Sequence, residues 1–182
     1  MIDQAKFEPF VKFFHNEILP EVRKISKQPE KGFHGLSHTK QVALFAVDVA
    51  LSIGQDPIPV LFAAGLHDAA RDNDAYDLQH GPASVPLAKK LFDTPLGKHL
   101  SPELRERVCV AIRDHTIGMN AADPISACLW DADRIRLSWR RGYDPKFFST
   151  PRGRELAAMS PAQQREYMDA WKNFLQLTNI RQ

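Results

Sequence analysis

The stretch "LFAAGLHDAARDND", residues 61–74, runs from an apolar segment straight into ionisable groups: His67 and Asp68, then Arg71, Asp72 and Asp74. Pro59 suits the first turn of a helix over "VLFAAGLHDAA", so the quoted stretch is read as the C-terminal half of a buried helix. Ionisable groups at the end of a buried helix are costly unless something pairs with them. What pairs with them is the question that decides the fold and the chemistry.

Working outward, Phe7, Phe10, Val11, Phe14, Ile18 and Val22 recur at spacings of three and four, predicting one face of a helix over residues 4–26. The polar link "SKQPEKGFHG" ends it. Ser37 is expected to cap a second helix with Val42, Phe45, Ala46 and Val49 on its inner face, stopped by Gly54 and the prolines after it. Further helices are expected at 82–92, 102–115, 124–137 and 161–177, the last capped by Ser160 with Pro161 in its first turn. Pro86 argues for a break or kink in the first of these, and "GYDPKFFSTP" reads as a turn covering the bundle. No alternating strand pattern and no internal repeat stand out. The expectation is an all-α, compact multi-helix bundle in one domain, 1–182, with a motif-bearing core over 34–137 and C-terminal helices within 144–182 packed on it.

Composition narrows the function. A net charge of +2, with Lys and Arg scattered rather than blocked, leaves no footprint for a nucleic-acid polymer but is compatible with small anions. Cys109 and Cys128 lie in apolar runs and read as buried free thiols. The first twenty residues carry Asp3, Glu8 and Glu17, unlike a signal peptide, and no run approaches ~18 uninterrupted apolar residues, so a cytoplasmic protein with no membrane partner is expected. Oligomeric state is not legible.

The candidate chemistry lies in a set of polar groups embedded in apolar surroundings. His67 and Asp68 point about 100° apart if helical, so both reach one object only in the cleft between those directions, and a metal ion is such an object. Imidazole nitrogen with carboxylate oxygen suits a divalent Mn, Fe, Co, Ni or Zn ion. His34 and His38 sit four apart in "FHGLSHTKQV"; His115 ends an apolar segment in "AIRDHT"; Asp131 and Asp133 interrupt the apolar run of "LWDADRIRL". His15 and His99 have no such company. Trp130, Trp139 and Trp171 read as core residues, and "RIRLSWRR", 134–141, as a phosphate-contacting segment or a solvated helix end.

In order and helical context, His38, the His67-Asp68 pair and the aspartate of "DADR" resemble the signature of the HD superfamily of metal-dependent phosphohydrolases. The resemblance covers roughly 34–137 and implies that His38, His67, Asp68 and Asp133 bind one divalent ion. Asp133 rather than Asp131 is implied because the family's "ADR" segment has the ligand directly before the arginine. It further implies hydrolysis of a phosphate ester or anhydride of a small metabolite, with nucleotides the leading class, by metal-activated water. The family's assisting acid often lies three or four positions after the pair. Those positions hold Arg71 and Asp72, so Asp72 becomes the candidate for orienting water, beside Asp68, and Arg71 an anion contact. Arg134 is a candidate phosphate donor or a salt-bridge partner, and His34 a substrate contact.

Some superfamily members add two histidines between the pair and the last aspartate to bind a second ion. His80 and His115 occupy that order here and are candidates for a second metal or for phosphate contacts. Two other functions follow from the same resemblance: a di-iron oxygenase, and a nucleotide-sensing module with little turnover.

Overall fold

The structure, a computed structural model, describes residues 3–30, 32–178 and 180. Among these there is no strand, and the elements follow in the order α1 (Gln4–Phe13), a π-type turn (Phe14–Ile18), α2 (Leu19–Ile25), α3 (Leu36–Ser52), α4 (Pro57–Leu66), α5 (His80–Phe92), α6 (Pro102–Asp114), α7 (Pro124–Arg141), α8 (Pro151–Ala157) and α9 (Pro161–Leu177). Short 3-10 turns lie at Pro95–His99 and Pro145–Phe147.

The bundle is built around α4. Asp56 caps it by accepting the Ile58 N–H, and Pro57 and Pro59 occupy first-turn positions where no N–H is needed. Leu61, Phe62 and Leu66 are fully buried, each contributing about 1.5–3 kcal/mol relative to exposure. The helix packs against α3, α6 and α7 and, through Gly65, against the π-type turn. A Cβ at Gly65 would stand 3.2 Å from Ile18 and 3.3 Å from Val22, closer than ordinary contact, so glycine permits that approach. One hydrophobic cluster runs from Phe7 to Ile180.

Several expectations need correction. The helix expected over 4–26 is divided by the π-type turn ahead of Pro20, whose missing N–H cannot join the ordinary ladder. Ser37 is not the cap of α3: Gly35 is, with no side-chain capping bond, which makes His38 the third helical residue instead of the first. The helix His80–Phe92 is continuous through Pro86 and starts two residues earlier than expected. Helix α7 continues to Arg141. Ser160 does cap α9, in a capping box with Gln163. "GYDPKFFSTP" supplies the Pro145–Phe147 turn and leads into α8, which the sequence pattern did not reveal.

The C-terminal helices are tied on by a buried charge. Asp48, on α3, receives Arg152 Nε and Nη2 of α8 at 3.0 and 2.9 Å and the Tyr167 hydroxyl of α9 at 2.7 Å. The Phe45 ring stacks on Tyr167 with centroids 5.8 Å apart. Trp130 and Trp171 are buried, while Trp139 is half-buried with its Nε1–H on the Leu156 carbonyl. Cys109 and Cys128 are buried and free. No helix among the described residues is long and apolar enough to cross a membrane.

Candidate metal centre

Four helix ends and the interior of a fifth helix deliver the polar groups to one place. His38 stands in the first turn of α3, His67 and Asp68 in the turn that ends α4, His80 at the first residue of α5, His115 at the end of α6, and Asp133 inside α7. The turn after α4 is held from two sides: Lys27 N–H donates to the Ala69 carbonyl at 2.8 Å, and Ala70 N–H to Ser84 Oγ at 3.0 Å. That fixes the His-Asp pair against α2 and α5.

His67 and His115 are prepared in the same way. Each ring donates from Nδ1 to the carbonyl three residues back, Ala64 at 2.8 Å and Ile112 at 2.7 Å, which turns each Nε2 towards the centre. His38 Nε2 lies 3.0 Å from Asp133 Oδ1, and His67 Nε2 lies 3.6 Å from the same oxygen.

Asp68 is 2% exposed and stands between two triads. Its Oδ2 is 3.4 Å from His67 Nε2 and 3.9 Å from His38 Nε2; its Oδ1 is 3.0 Å from His80 Nε2 and 3.8 Å from His115 Nε2. His38, His67 and Asp133 form one group whose donor atoms all lie within 4.8 Å of one another, and Asp68, His80 and His115 form another.

The charges are strongly coupled. Burial pulls the His67 imidazole down, but the carboxylates of Asp68 and Asp133 outweigh it and raise its pKa to about 9. Burial pushes Asp68 up, yet the His67, His115 and His80 rings around it hold the carboxyl well below its usual range. Asp133 is likewise held low against burial, mainly by its bond from His38.

The donor set fits a divalent ion on an independent observation. Among the described residues, His67 Nε2 is fully buried with no hydrogen-bond partner and Asp68 Oδ1 meets only histidine nitrogens, an unsatisfied polar arrangement that calls for an explanation and that a cation supplies. Nitrogen and oxygen donors of this kind suit Mn, Fe, Co, Ni or Zn.

The remaining sequence candidates fall outside or around this cluster. Asp131 is fully buried away from it, accepting the Ser149 and Thr150 N–H groups at 2.8 Å each and the Thr150 hydroxyl at 2.7 Å, a role in seating α8. Asp72 is exposed, its carboxylate beside the Asn73 amide, and it makes no contact with the cluster among the described residues; the placement expected for a water-orienting acid is therefore corrected. Arg134 is corrected too. Its terminal nitrogens donate to the carbonyls of Met119 at 2.8 Å, Phe147 at 3.0 Å, His115 at 3.1 Å and Gly118, so it braces the loop after His115 instead of facing an anion. Arg140 lies over the Phe33 ring at 4.1 Å.

Arg71 and His34 lie beside the centre. Arg71 is 6% exposed, with Nη1 2.7 Å from His80 Nδ1, Nη2 donating to the Ala75 carbonyl at 2.7 Å, and a buried Nε that has no partner. The His34 ring stands edge-on to His38 with centroids 6.0 Å apart. Its Nδ1 is 3.1 Å from Asp74, whose carboxylate also accepts the Phe33 and His34 N–H groups at 3.0 Å each. Asp74 was assigned no role from sequence. The signal for it was the glycine at position 32, with φ of 122°, which turns the chain so that consecutive N–H groups face one carboxylate.

The HD domain model matches residues 35–139. Among solved structures, the chain is similar to one from an uncultured Thermotogales bacterium described as a predicted HD superfamily hydrolase, with 24% identity over 87% of this chain and 91% of that chain and a TM-score of 0.63. No curated protein matches. The family model spans more than half of the chain, over the helices that bring His38, His67, Asp68 and Asp133 together: the protein belongs to the HD domain family.

Proposed function

We propose that this protein is a metal-dependent phosphohydrolase acting on a small phosphorylated metabolite, with nucleotides the leading class. The observation that carries the proposal is the convergence of His38, His67, Asp68 and Asp133, buried or nearly so, with His67 Nε2 left without a hydrogen-bond partner among the described residues. These four residues would hold one divalent ion. His80 and His115, sharing Asp68, offer a second position.

When bound, such an ion supplies a nucleophile from water near neutral pH and polarises a phosphoryl oxygen. The protein's own residues do the rest. Asp68 and Asp133 balance the cation and keep the imidazoles oriented, while the Nδ1 bonds of His67 and His115 hold the rings in the tautomer that exposes Nε2. Arg71 carries a buried positive charge with an unused Nε–H, suited to a phosphoryl oxygen arriving beside the centre. His34 stands at the rim as a further substrate contact.

The test is phosphate release from nucleotides and sugar phosphates, screened with Mn, Ni, Co, Zn and Fe. Replacing both His67 and Asp68 with alanine must abolish it; unchanged turnover overturns the proposal. The second triad favours one competing function, a di-iron oxygenase, which two irons per chain and oxygen consumption with an organic substrate would support. The exposed Asp72 favours another, a nucleotide-sensing module, which tight nucleotide binding without product would support. An intracellular setting and a freely diffusing substrate, without nucleic-acid polymer or membrane, accompany the proposal.

A further inference from the structure

Granting the metal centre proposed above, we propose that Arg71 controls the second metal position, keeping it closed until an anion draws the guanidinium away from His80. The three histidines nearest Asp68 differ in one respect. Nδ1 of His67 and Nδ1 of His115 each meet a single backbone carbonyl, which can only accept, so Nε2 is the nitrogen each ring offers to a cation. Nδ1 of His80 meets two groups of opposite demand, the Asp77 carbonyl and Arg71 Nη1 at 2.7 Å.

Those two partners select different neutral tautomers. The Asp77 carbonyl needs the proton on Nδ1, which presents the Nε2 lone pair to an ion. Arginine has donors only, so its bond to Nδ1 needs the lone pair there and puts the proton on Nε2. In that arrangement the Nε2–H faces Asp68 Oδ1 at 3.0 Å and His115 Nε2 at 2.9 Å, filling the space between the second triad's other donors. The guanidinium charge on His80 also opposes a divalent ion at that position. Asp68, Asp77, His115 and Arg71 are the groups that face this ring.

Arg71 has a reason to leave. It is almost wholly buried, its Nε–H is unpaired, and of its two terminal nitrogens only Nη2 has a committed acceptor, the Ala75 carbonyl. An anion entering beside the centre gives the guanidinium a better partner than a neutral ring nitrogen. The proton on His80 then exchanges through solvent from Nε2 to Nδ1, the Asp77 carbonyl takes it, and the second position opens. Anion binding and loading of the second ion are thereby linked, each favouring the other.

The experiment measures metal content. Metal-free full-length protein is equilibrated with Mn2+, with and without inorganic phosphate, and bound manganese per chain is determined by elemental analysis after gel filtration in the same buffer, for wild type and Arg71→Met. Wild type is expected to hold one manganese without phosphate and two with it, and Arg71→Met to hold two without phosphate, its second-site affinity raised by about tenfold or more, the scale on which partners of metal ligands act. The same stoichiometry for wild type with and without phosphate overturns the inference, as does Arg71→Met holding only one. If the variant does not fold, the wild-type comparison decides alone. One ion under every condition overturns the control by Arg71 and leaves the proposed function standing, whereas no bound ion in wild type overturns both.

Discussion

His38 Nε2 lies 3.0 Å from Oδ1 of Asp133, a residue 95 positions later in the chain. The contact joins the first turn of α3 to the middle of α7, two helices packed along each other and against α4. Because each residue sits on a helix anchored in the core, the pair is held in place before any ion arrives, which is what a binding site requires of its support.

Asp133 and its near neighbour Asp131 are predicted to fail in opposite ways. Asp133→Ala should lose stoichiometric metal while keeping a melting temperature close to that of the metal-free wild type, since it removes a carboxylate that is 24% exposed from a cluster built for a cation. Asp131→Ala strips a buried acceptor from Ser149 and Thr150 and should cost about 3 kcal/mol, with metal content retained in the folded fraction. Elemental analysis and thermal melting on both variants check this; metal loss in Asp131→Ala alone would reverse the assignment.

Metal affinity should rise with pH. The His67 pKa, raised from 6.5 to about 9, means that near neutrality the metal-free protein carries a proton that an ion must displace. Affinity for Mn2+ should therefore increase from pH 6 towards pH 9 and then level off, with protons released on binding below that point. Metal-free stability has the opposite trend: a raised folded-state pKa stabilises fully below 6.5 and the benefit is lost as pH rises through about 9. Titration calorimetry in buffers of different ionisation enthalpy, and melting of the metal-free protein across this range, measure the two.

Breaking the Asp48 network should loosen the C-terminal helices from the core. Arg152→Ala leaves the Asp48 carboxylate, whose side chain is 10% exposed, without its bidentate partner. With the arginine itself partly in solvent, a loss of about 2–3 kcal/mol is expected, somewhat below that of a wholly buried pair. Tyr167→Phe should cost about 1 kcal/mol, as one hydrogen bond does. Urea unfolding checks both, and proteolysis should cut within α8 and α9 first.

Gly81→Ala tests how closely α5 must approach α6. A Cβ there would fall 2.7 Å from the Arg113 carbonyl and 3.2 Å from His115 Nδ1. The helix must shift, at a cost of about 1–3 kcal/mol, and His80 moves with it. Stability should fall and binding of a second ion should weaken, with the ion held by His38, His67 and Asp133 kept; equal loss of both ions would show that the centre does not divide at Asp68.

Local signals were sufficient for most of the elements. Ser160 with Pro161, and Pro59 ahead of an unbroken apolar run, work through capping and first-turn geometry that involve only near neighbours. Helix α8 carries a local start signal, Thr150 accepting the Gly153 N–H at 2.9 Å with Pro151 in the first turn, but its seven residues are too few to show an apolar periodicity; Ser37 resembles a cap in sequence, whereas Gly35, with no side chain to accept an N–H, occupies that position. Asp72 follows from the spacing that the family resemblance implies after the His-Asp pair, but α4 ends at Leu66 and the chain leaves the cluster before reaching it.

By itself, the sequence determined that the chain is helical and that its ionisable residues interrupt apolar segments, because periodicity and burial cost are properties of neighbours along the chain. It also carried the family, through the order of His38, His67-Asp68 and "DADR". Only the tertiary structure decided that Asp68 faces two triads, that Arg134 braces carbonyls while Arg71 touches His80, and that Asp133 rather than Asp131 enters the cluster. Those outcomes depend on which way a side chain points once five helices meet, and no spacing along a single helix contains that information.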